Sequence, residues 1–404
     1  MISYLIWNGS PEIFSLGSFA LRWYGLLFAA GFLISQQILY YMYRKEGKPE
    51  RDVDTLTIYM VVATIIGARL GHIIFYEPSM LWEHPLQVFL PFEFTPEFHF
   101  TGLQGLASHG GAFGILFALW LYANYHISFS KADVALKGGE GKESAVQKNT
   151  KRGIFFEKRI KPGQSYLQVL DRIVILVCLT GCLIRLGNFF NSEIIGKPTN
   201  SPLGVVFVSR VTQAIKSYDN SPIDEVGVIK NTALPAGAHG RVPIYIYLFY
   251  KQGTSREIAN QFTNSNIKYL LSHMPEYIDE PAQQPINYQI AEDSPGVYAV
   301  KIKTFGIARH PAQLYESLSC LLLFLILFGY WSVKKENTPT GRIFGWFLIL
   351  LWCFRFAYEF LKENQESFEA SLPINMGQIL SIPLIFAGIF VLWYSYRSKP
   401  ESKL

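Results

Sequence analysis

Apolar residues gather into seven long runs, at about Leu21–Tyr43, Asp54–Tyr76, Ala107–His126, Leu167–Phe190, Ala312–Val333, Ile343–Leu361 and Gly377–Tyr396. Each is close to the ~20 residues that an α-helix needs to cross a hydrocarbon core. The pattern predicts an all-α polytopic membrane protein of seven transmembrane helices. Between the fourth and fifth runs the periodicity changes: Val242–Tyr250 and Val297–Thr304 read as strands and Ser255–Ser272 as a helix, a small α+β extramembrane insertion over 199–305. The remaining divisions are 1–127, helices one to three with an outer arm at 77–106; 128–165, a basic insertion; 166–198, helix four; and 306–404, helices five to seven and a tail.

Composition agrees with this class: of 404 residues, 50% are apolar, 15% aromatic and only 17% charged, with a mean hydropathy of +0.18. Basic residues set the orientation. Arg44, Lys45, Lys48 and Arg51 follow the first run, Lys334, Lys335 and Arg342 join the fifth to the sixth, and Arg397, Lys399 and Lys403 follow the last. The positive-inside rule makes these ends cytoplasmic. Residues 1–20, 77–106 and 363–374 hold no Lys or Arg, so the N-terminus is expected outside and the C-terminus inside. The first twenty residues lack a basic n-region and a small-residue cleavage site, so the first helix is expected to be retained. The net charge of +5 arises largely from loops beside anionic lipid and is no argument for nucleic acid. Cys178, Cys182, Cys320 and Cys353 all fall in apolar runs, which suggests neither a disulfide framework nor a metal site. The stretch at 138–144, GGEGKES, lacks the spacing of a phosphate-binding loop, and no cofactor is expected.

Ionisable groups at bilayer depth are costly, so a set sharing one depth reads as a site. Tyr24 opens the first helix, Arg69 and His72 lie in the outer half of the second, and His109 opens the third. Arg185 and Asn188 fall in the last turns of the fourth, Gln313 and Glu316 in the first turns of the fifth, and Arg355 and Glu359 in the outer half of the sixth. Individually, each has an ordinary structural explanation: Tyr24 as an interfacial aromatic, Arg355 with Glu359 as a neutralising i,i+4 pair. Their common depth does not.

Three segments are more specific. His109-Gly110-Gly111 sets an imidazole beside residues that let a ligand, or another helix, approach the backbone closely. In the stretch from Arg185 to Gly196, Arg185 and Asn188 share a helix face at i,i+3 while Glu193 and Gly196 fall where the chain leaves the membrane. In Arg309-His310-Pro311-Ala312-Gln313-Leu314-Tyr315-Glu316, Pro311 suits a first helical position, so Arg309 and a helix N-terminus would present cationic and N–H donors together, an arrangement suited to phosphate. Two arginines at headgroup depth point to a phospholipid.

These segments resemble the prolipoprotein diacylglyceryl transferase family. The resemblance covers Leu21-Arg22-Trp23-Tyr24-Gly25, Gly67-Ala68-Arg69-Leu70-Gly71, His109-Gly110-Gly111, Arg185 to Gly196, Arg309 to Glu316, Phe354-Arg355-Phe356 with Glu359, and Asn375 to Ser381, in the family's order along the bundle. Ile184 stands where the family usually has Gly, and Ser108 where it often has an aromatic residue; both insertions exceed the usual family length. The resemblance implies transfer of the diacylglyceryl group of phosphatidylglycerol to the lipobox cysteine of a preprolipoprotein signal peptide, at the outer face of a bacterial cytoplasmic membrane, with membrane lipids as surroundings. It implies Arg185 and Arg309 on the phosphate, His109 deprotonating the thiol, Asn188 and Tyr24 orienting the headgroup, and Glu193 and Glu316 orienting the arginines. Gly110, Gly196, Gln313, Arg69, Arg355 and Glu359 would frame the substrate. A transporter or flippase, or a lipid-binding scaffold without chemistry, is the competing expectation; against transport, the polar set does not continue to the inner face.

Overall fold

The computed structural model describes residues 4–16, 19–83, 92–93, 99–100, 107–130, 152–158, 161–363 and 374–397. Seven long helices occupy the seven apolar runs: α1 Trp23–Lys45, α2 Arg51–Tyr76, α4 Ser108–Asn124, α5 Tyr166–Phe190, α9 Ala312–Lys334, α10 Arg342–Glu359 and α11 Met376–Arg397. Short helices are α3 Met80–Glu83, α6 Ser209–Lys216, α7 Arg256–Phe262 and α8 Lys268–Ser272. Five of the long helices, α1, α2, α5, α9 and α11, are long and apolar enough to cross a membrane, which makes this a polytopic membrane protein. The other two are shorter or more charged: α4 has 17 residues, and the 18 residues of α10 include Arg342, Arg355 and Glu359.

The all-α class expected from the apolar runs is too narrow. Among the described residues there are thirteen strands, seven of them in one sheet of order β1-β8-β13-β10-β9, with β11 and β12 also pairing to β13. These are β1 Leu5–Trp7, β8 Val205–Phe207, β9 Ile223–Lys230, β10 Arg241–Tyr250, β11 Ile278–Asp279, β12 Tyr288–Ser294 and β13 Val297–Arg309. Three two-stranded ribbons complete the count: β2 Glu12–Leu16 with β3 Phe19–Arg22, β4 Phe92–Glu93 with β5 His99–Phe100, and β6 Tyr125–Ser130 with β7 Arg152–Lys158. The last ribbon joins the two ends of the basic insertion; residues 131–151 and 159–160, which hold the GGEGKES stretch and most of the insertion's lysines, lie outside the described residues.

The chain divides into two compact units. The first comprises Met1–Phe32, Cys178–Leu323 and Leu350–Phe386. Its sheet buries one face: Val242, Ile244, Ile246 and Leu248 of β10 and Val300 and Ile302 of β13 alternate with outward residues and pack with Val211, Ile215, Ala259, Ile267 and Leu271 of the short helices and the turn between them. Period-2 alternation is what a half-buried strand requires. The helix expected at Ser255–Ser272 runs without a break from Arg256 to Ser272, widening at Thr263–Ile267 into a π-turn whose Thr263 Oγ1 lies 2.8 Å from the Tyr250 hydroxyl.

The second unit comprises Leu33–Val177, Phe324–Ile349 and Ala387–Leu404. Here α2 and α4 cross on glycines. A Cβ at Gly71 would lie 2.6 Å from Gly110 Cα, and one at Gly67 would lie 2.5 Å from Gly110 O. Gly67 and Gly71, like Gly110 and Gly114, are spaced four apart, the small-residue pattern that lets membrane helices meet backbone to backbone. At the far end of this unit the buried Glu46 carboxylate accepts from Trp331 Nε1 at 2.6 Å and pairs with Lys48 at 2.6 Å and Arg172 at 3.0 Å. Asp171, fully buried, accepts from the backbone N–H groups of Gly341 and Phe344 at 2.7 and 2.8 Å, which caps the start of α10.

Gly110→Ala is expected to force α2 and α4 apart and to destabilise the protein by about 1–3 kcal/mol, as overpacked sites do. Gly111→Ala, whose Cβ would meet Ala68 Cβ at an ordinary 3.6 Å, is expected to be tolerated. Thermal unfolding of both variants in detergent checks the contrast.

Candidate active site

The site in the first unit is built on three chain segments stapled by backbone hydrogen bonds. Gly196 N–H donates to His310 O at 3.0 Å, His310 N–H to Lys197 O at 3.0 Å, Lys197 N–H to Leu361 O at 2.7 Å and Thr199 N–H to Ala308 O at 2.8 Å. Only glycine fits at 196: a Cβ there would lie 2.7 Å from His310 O and 2.8 Å from Leu361 O. The chain reaches this point through Ser192 and Ile194, both with positive φ (52° and 57°), a conformation costly for a β-branched residue. That path turns the Glu193 carbonyl toward Gln313 Nε2, which donates to it at 2.5 Å.

Charged side chains converge on these staples. Arg185 Nε pairs with Glu316 Oε2 at 2.7 Å. The other oxygen of Glu316 takes the Lys362 ammonium, which also lies 3.9 Å from Glu359 Oε2. Glu316, Glu359 and Lys362 are all buried, while the Arg185 side chain stays 26% exposed, so of this cluster the guanidinium is the accessible member. Glu359 in turn lies against α11 at Gly377, where a Cβ would fall 2.6 Å from its Oε1. Arg355, one turn earlier, places its guanidinium 5.8 Å from the Trp352 ring.

Arg309 is buried and heavily committed. Its Nε donates to Glu276 O at 2.5 Å, and Nη1 donates to Gly196 O at 3.1 Å and pairs with Glu363 at 2.6 Å. Beside it, burial lowers the pKa of His310, whose Nδ1 is 3.3 Å from the Tyr315 hydroxyl. Asn188 Nδ2 donates to Glu193 Oε1 at 2.7 Å, and Asn191 Nδ2 donates to the same atom at 3.3 Å. Arg210 approaches the other Glu193 oxygen at 3.7 Å. Tyr24 packs on α5 at Gly187, where a Cβ would be 3.1 Å from Tyr24 Cα, and the neighbouring Trp23 stacks on Phe190.

The first unit therefore gathers Tyr24, Arg185, Asn188, Glu193, Gly196, Arg309, Gln313, Glu316, Arg355 and Glu359. Arg185 and Arg309 are joined through Glu316, Lys362 and Glu363, the last two being consecutive residues. Arg69, His72, His109 and Gly110 belong to the second unit. There the His109 ring is 5.0 Å from Phe75 and 6.3 Å from Tyr76, His72 Nε2 is 3.8 Å from Glu77, and the buried Arg69 reaches Met80 Sδ at 3.4 Å. Gly110 is spent on helix packing.

Four polar partners escape the sequence reading: Lys362, Glu363, Arg210 and Asn191. One signal marks Lys362, a cation at the end of an apolar run expected to be outside, directly before the segment 363–374 that holds no Lys or Arg. Arg210 sits in the insertion, and nothing in its sequence neighbourhood ties it to Glu193. Among the described residues no group of His, Cys, Asp and Glu could hold a metal ion.

A buried glutamate shared by two cations, in a unit whose backbone is closed at Gly196, defines a polytopic membrane protein with a buried charge cluster. The chain belongs to the prolipoprotein diacylglyceryl transferase family, whose match covers residues 11–136 and 150–394. It is 29% identical over 395 residues to a phosphatidylglycerol–prolipoprotein diacylglyceryl transferase of Tolumonas auensis, covering 98% of this chain and 99% of the relative. A protein of the same name from Bacteroides fragilis is 29% identical over 395 residues (97% of this chain, 96% of the relative), and one from Chloroherpeton thalassium 28% over 402 (99% and 98%).

Removing one partner of a buried pair strands the others, at a typical cost of about 3–5 kcal/mol. Glu316→Gln is expected to lower the unfolding temperature in detergent sharply, and adding Lys362→Met is expected to recover part of the loss. Strict additivity of the two changes would show that the residues are not coupled.

Proposed function

We propose that this protein transfers the diacylglyceryl group of phosphatidylglycerol to the cysteine thiol of a prolipoprotein. The cysteine sulfur, as thiolate, attacks the glyceryl carbon that bears the phosphate ester. A C–S thioether bond forms, the C–O bond breaks, and its electron pair leaves with the phosphate oxygen of glycerol 1-phosphate. Two demands follow: a thiol, whose ordinary pKa is near ~8.5, must lose its proton, and the leaving phosphate must be stabilised as its charge develops.

The observation that carries the reading is the attitude of Arg185. Glu316 engages it through Nε, and the partly exposed guanidinium, whose Nη groups have no partner among the described residues, keeps them for a ligand. A planar fork held from behind suits bidentate phosphate recognition. Lys362 shares the negative charge of Glu316, so the pair does not cancel Arg185. Arg309, held by Gly196 O, Glu276 O and Glu363, adds positive charge while fixing the mouth of the site. Asn188, Gln313 and Tyr24 orient the headgroup, with Arg69 and Arg355 framing the substrate and Glu193 and Glu359 setting the donors. His109 is the candidate for the thiol proton. The seven long helices all span, with the N-terminus outside and the C-terminus inside, and the site opens to the outer side of a bacterial cytoplasmic membrane. The cysteine is that of the lipobox of the preprolipoprotein signal peptide.

Arg185→Lys keeps the charge and loses the fork. With phosphatidylglycerol and a lipobox peptide, kcat/KM is expected to fall roughly a hundredfold, the scale of one lost transition-state donor. Full activity with unchanged lipid affinity would overturn bidentate recognition. His109→Gln, assayed across pH 6 to 9, is expected to lower the rate and to displace the alkaline rise of the profile (the window about the ordinary thiol pKa); an unchanged rate and profile remove His109 from the mechanism.

A further inference from the structure

The sheet of the first unit buries one face, and its other face is unusual for an antiparallel sheet open to water, which ordinarily turns polar residues outward. On β10 the outward positions are Tyr245, Tyr247 and Phe249, with successive ring centroids 6.4 and 6.5 Å apart. Register places Lys303 opposite Tyr245 and Lys301 opposite Tyr247 on β13, and Ile229 and Gly227 opposite the same two tyrosines on β9. Lys301 Nζ lies 3.9 Å from the Tyr245 ring centroid. Ile229 is 50% exposed, and Gly227 leaves a bay beside Tyr247, since a Cβ there would meet Tyr247 Cβ only at 3.9 Å. Among the described residues neither lysine has a carboxylate partner: Asp279, opposite the neighbouring outward position Phe305, is taken by Arg241 at 2.5 Å, and Glu225 stands opposite Phe249.

The strand that carries this face leads into the site. Residues Lys301, Lys303, Phe305, Ile307 and Arg309 are alternate positions of one strand, and β13 pairs with β10 without a register shift from Ala299 to Ile307. Alternate positions of a strand share a face. The two lysines and Arg309 therefore share one side of one strand, open as far as Phe305 and covered at Ile307 and Arg309, where the strand enters the site. At about 3.4 Å per residue, Lys301 lies roughly 27 Å along β13 from Arg309, a span that about eight residues of an extended polypeptide cover.

We infer that the Tyr245–Tyr247–Phe249 row with Lys301 and Lys303 is a docking surface for the polypeptide that follows the reacting cysteine, and that it favours acidic side chains about six to ten residues downstream. The inference rests on the proposed transfer reaction and adds to it a partner preference. The lysines supply the charge complementarity and a means of steering, the aromatic row supplies sequence-tolerant contact area, and the length of β13 from Lys301 to Arg309 sets the reading distance.

The test uses the full-length protein in phosphatidylglycerol micelles with three cysteine peptides of one lipobox: a short tail of four residues, a long tail with Asp and Glu at positions six to ten, and a long tail with Lys there. The wild type is expected to use the acidic tail with kcat/KM about fivefold above the basic tail, chiefly through KM, as one or two exposed charge pairs allow. Lys301→Glu with Lys303→Glu is expected to reverse that order and to leave the short peptide unchanged. Lys303→Glu alone, which spares the cation over Tyr245, is expected to narrow the preference. Equal use of all three peptides by the wild type, or an order the double variant does not alter, overturns the inference while the transfer reaction stands. A double variant that slows short and long peptides alike places the face against lipid or the fold and also overturns it. No modification of any peptide overturns both readings.

Discussion

Glu316 is the constraint on which the site turns. Its carboxylate is buried, and so is Lys362; neither charge is tolerable at that depth without the other. Once those two are paired, the second oxygen of Glu316 is available to Arg185, and a guanidinium that could swing among rotamers is held at Nε in one orientation. Glu359 and Gly377 extend the same logic to α11, because only a residue without a side chain lets the helix sit against the carboxylate.

The backbone supplies the matching rigidity. Gly196 lies between His310 and Leu361, so the segment leaving α5, the strand entering α9 and the chain leaving α10 are fixed by hydrogen bonds that owe nothing to side-chain identity. Strain at Ser192 and Ile194 is compensated there, since the positive φ angles direct the Glu193 carbonyl onto Gln313. Charge chemistry and chain geometry thus meet in the same dozen residues.

Much of this was readable from sequence. All seven long helices fall on apolar runs, because a 20-residue stretch of Leu, Ile and Phe has few alternatives, and Arg185, Asn188 and Gln313 stand out as polar groups in helices where such groups are expensive, while Glu193 and Gly196 stand out only through the segment that links them to Arg185. What escaped depends on long-range pairing. Three-residue strands such as Leu5–Trp7 carry no periodicity to read, and β13 runs to Arg309 only because β8 and β11 cover its last turns of register. Gly110 illustrates the opposite limit: two opposed glycine pairs make a helix crossing, yet either pair alone reads equally well as room for a ligand.

One consequence concerns the order in which the chain can assemble. β1 pairs in parallel with β8, some two hundred residues later, and β8 is completed on its other side by Ala308 and Arg309 of β13. Trp7, carried on β1, meets Phe189 and Phe190 at 4.4 and 5.5 Å, directly behind Asn188. The amino-terminal segment must therefore wait, unpaired, through the synthesis of four long helices before it can seat on β8, and β8 is closed on its other side only after the rest of the insertion has been made. Contacts of such sequence separation form late, so the aromatic contact of Trp7 with the end of α5 is a latch that waits on the first half of the chain, and the sheet around it is completed only when the strand ending at Arg309 arrives.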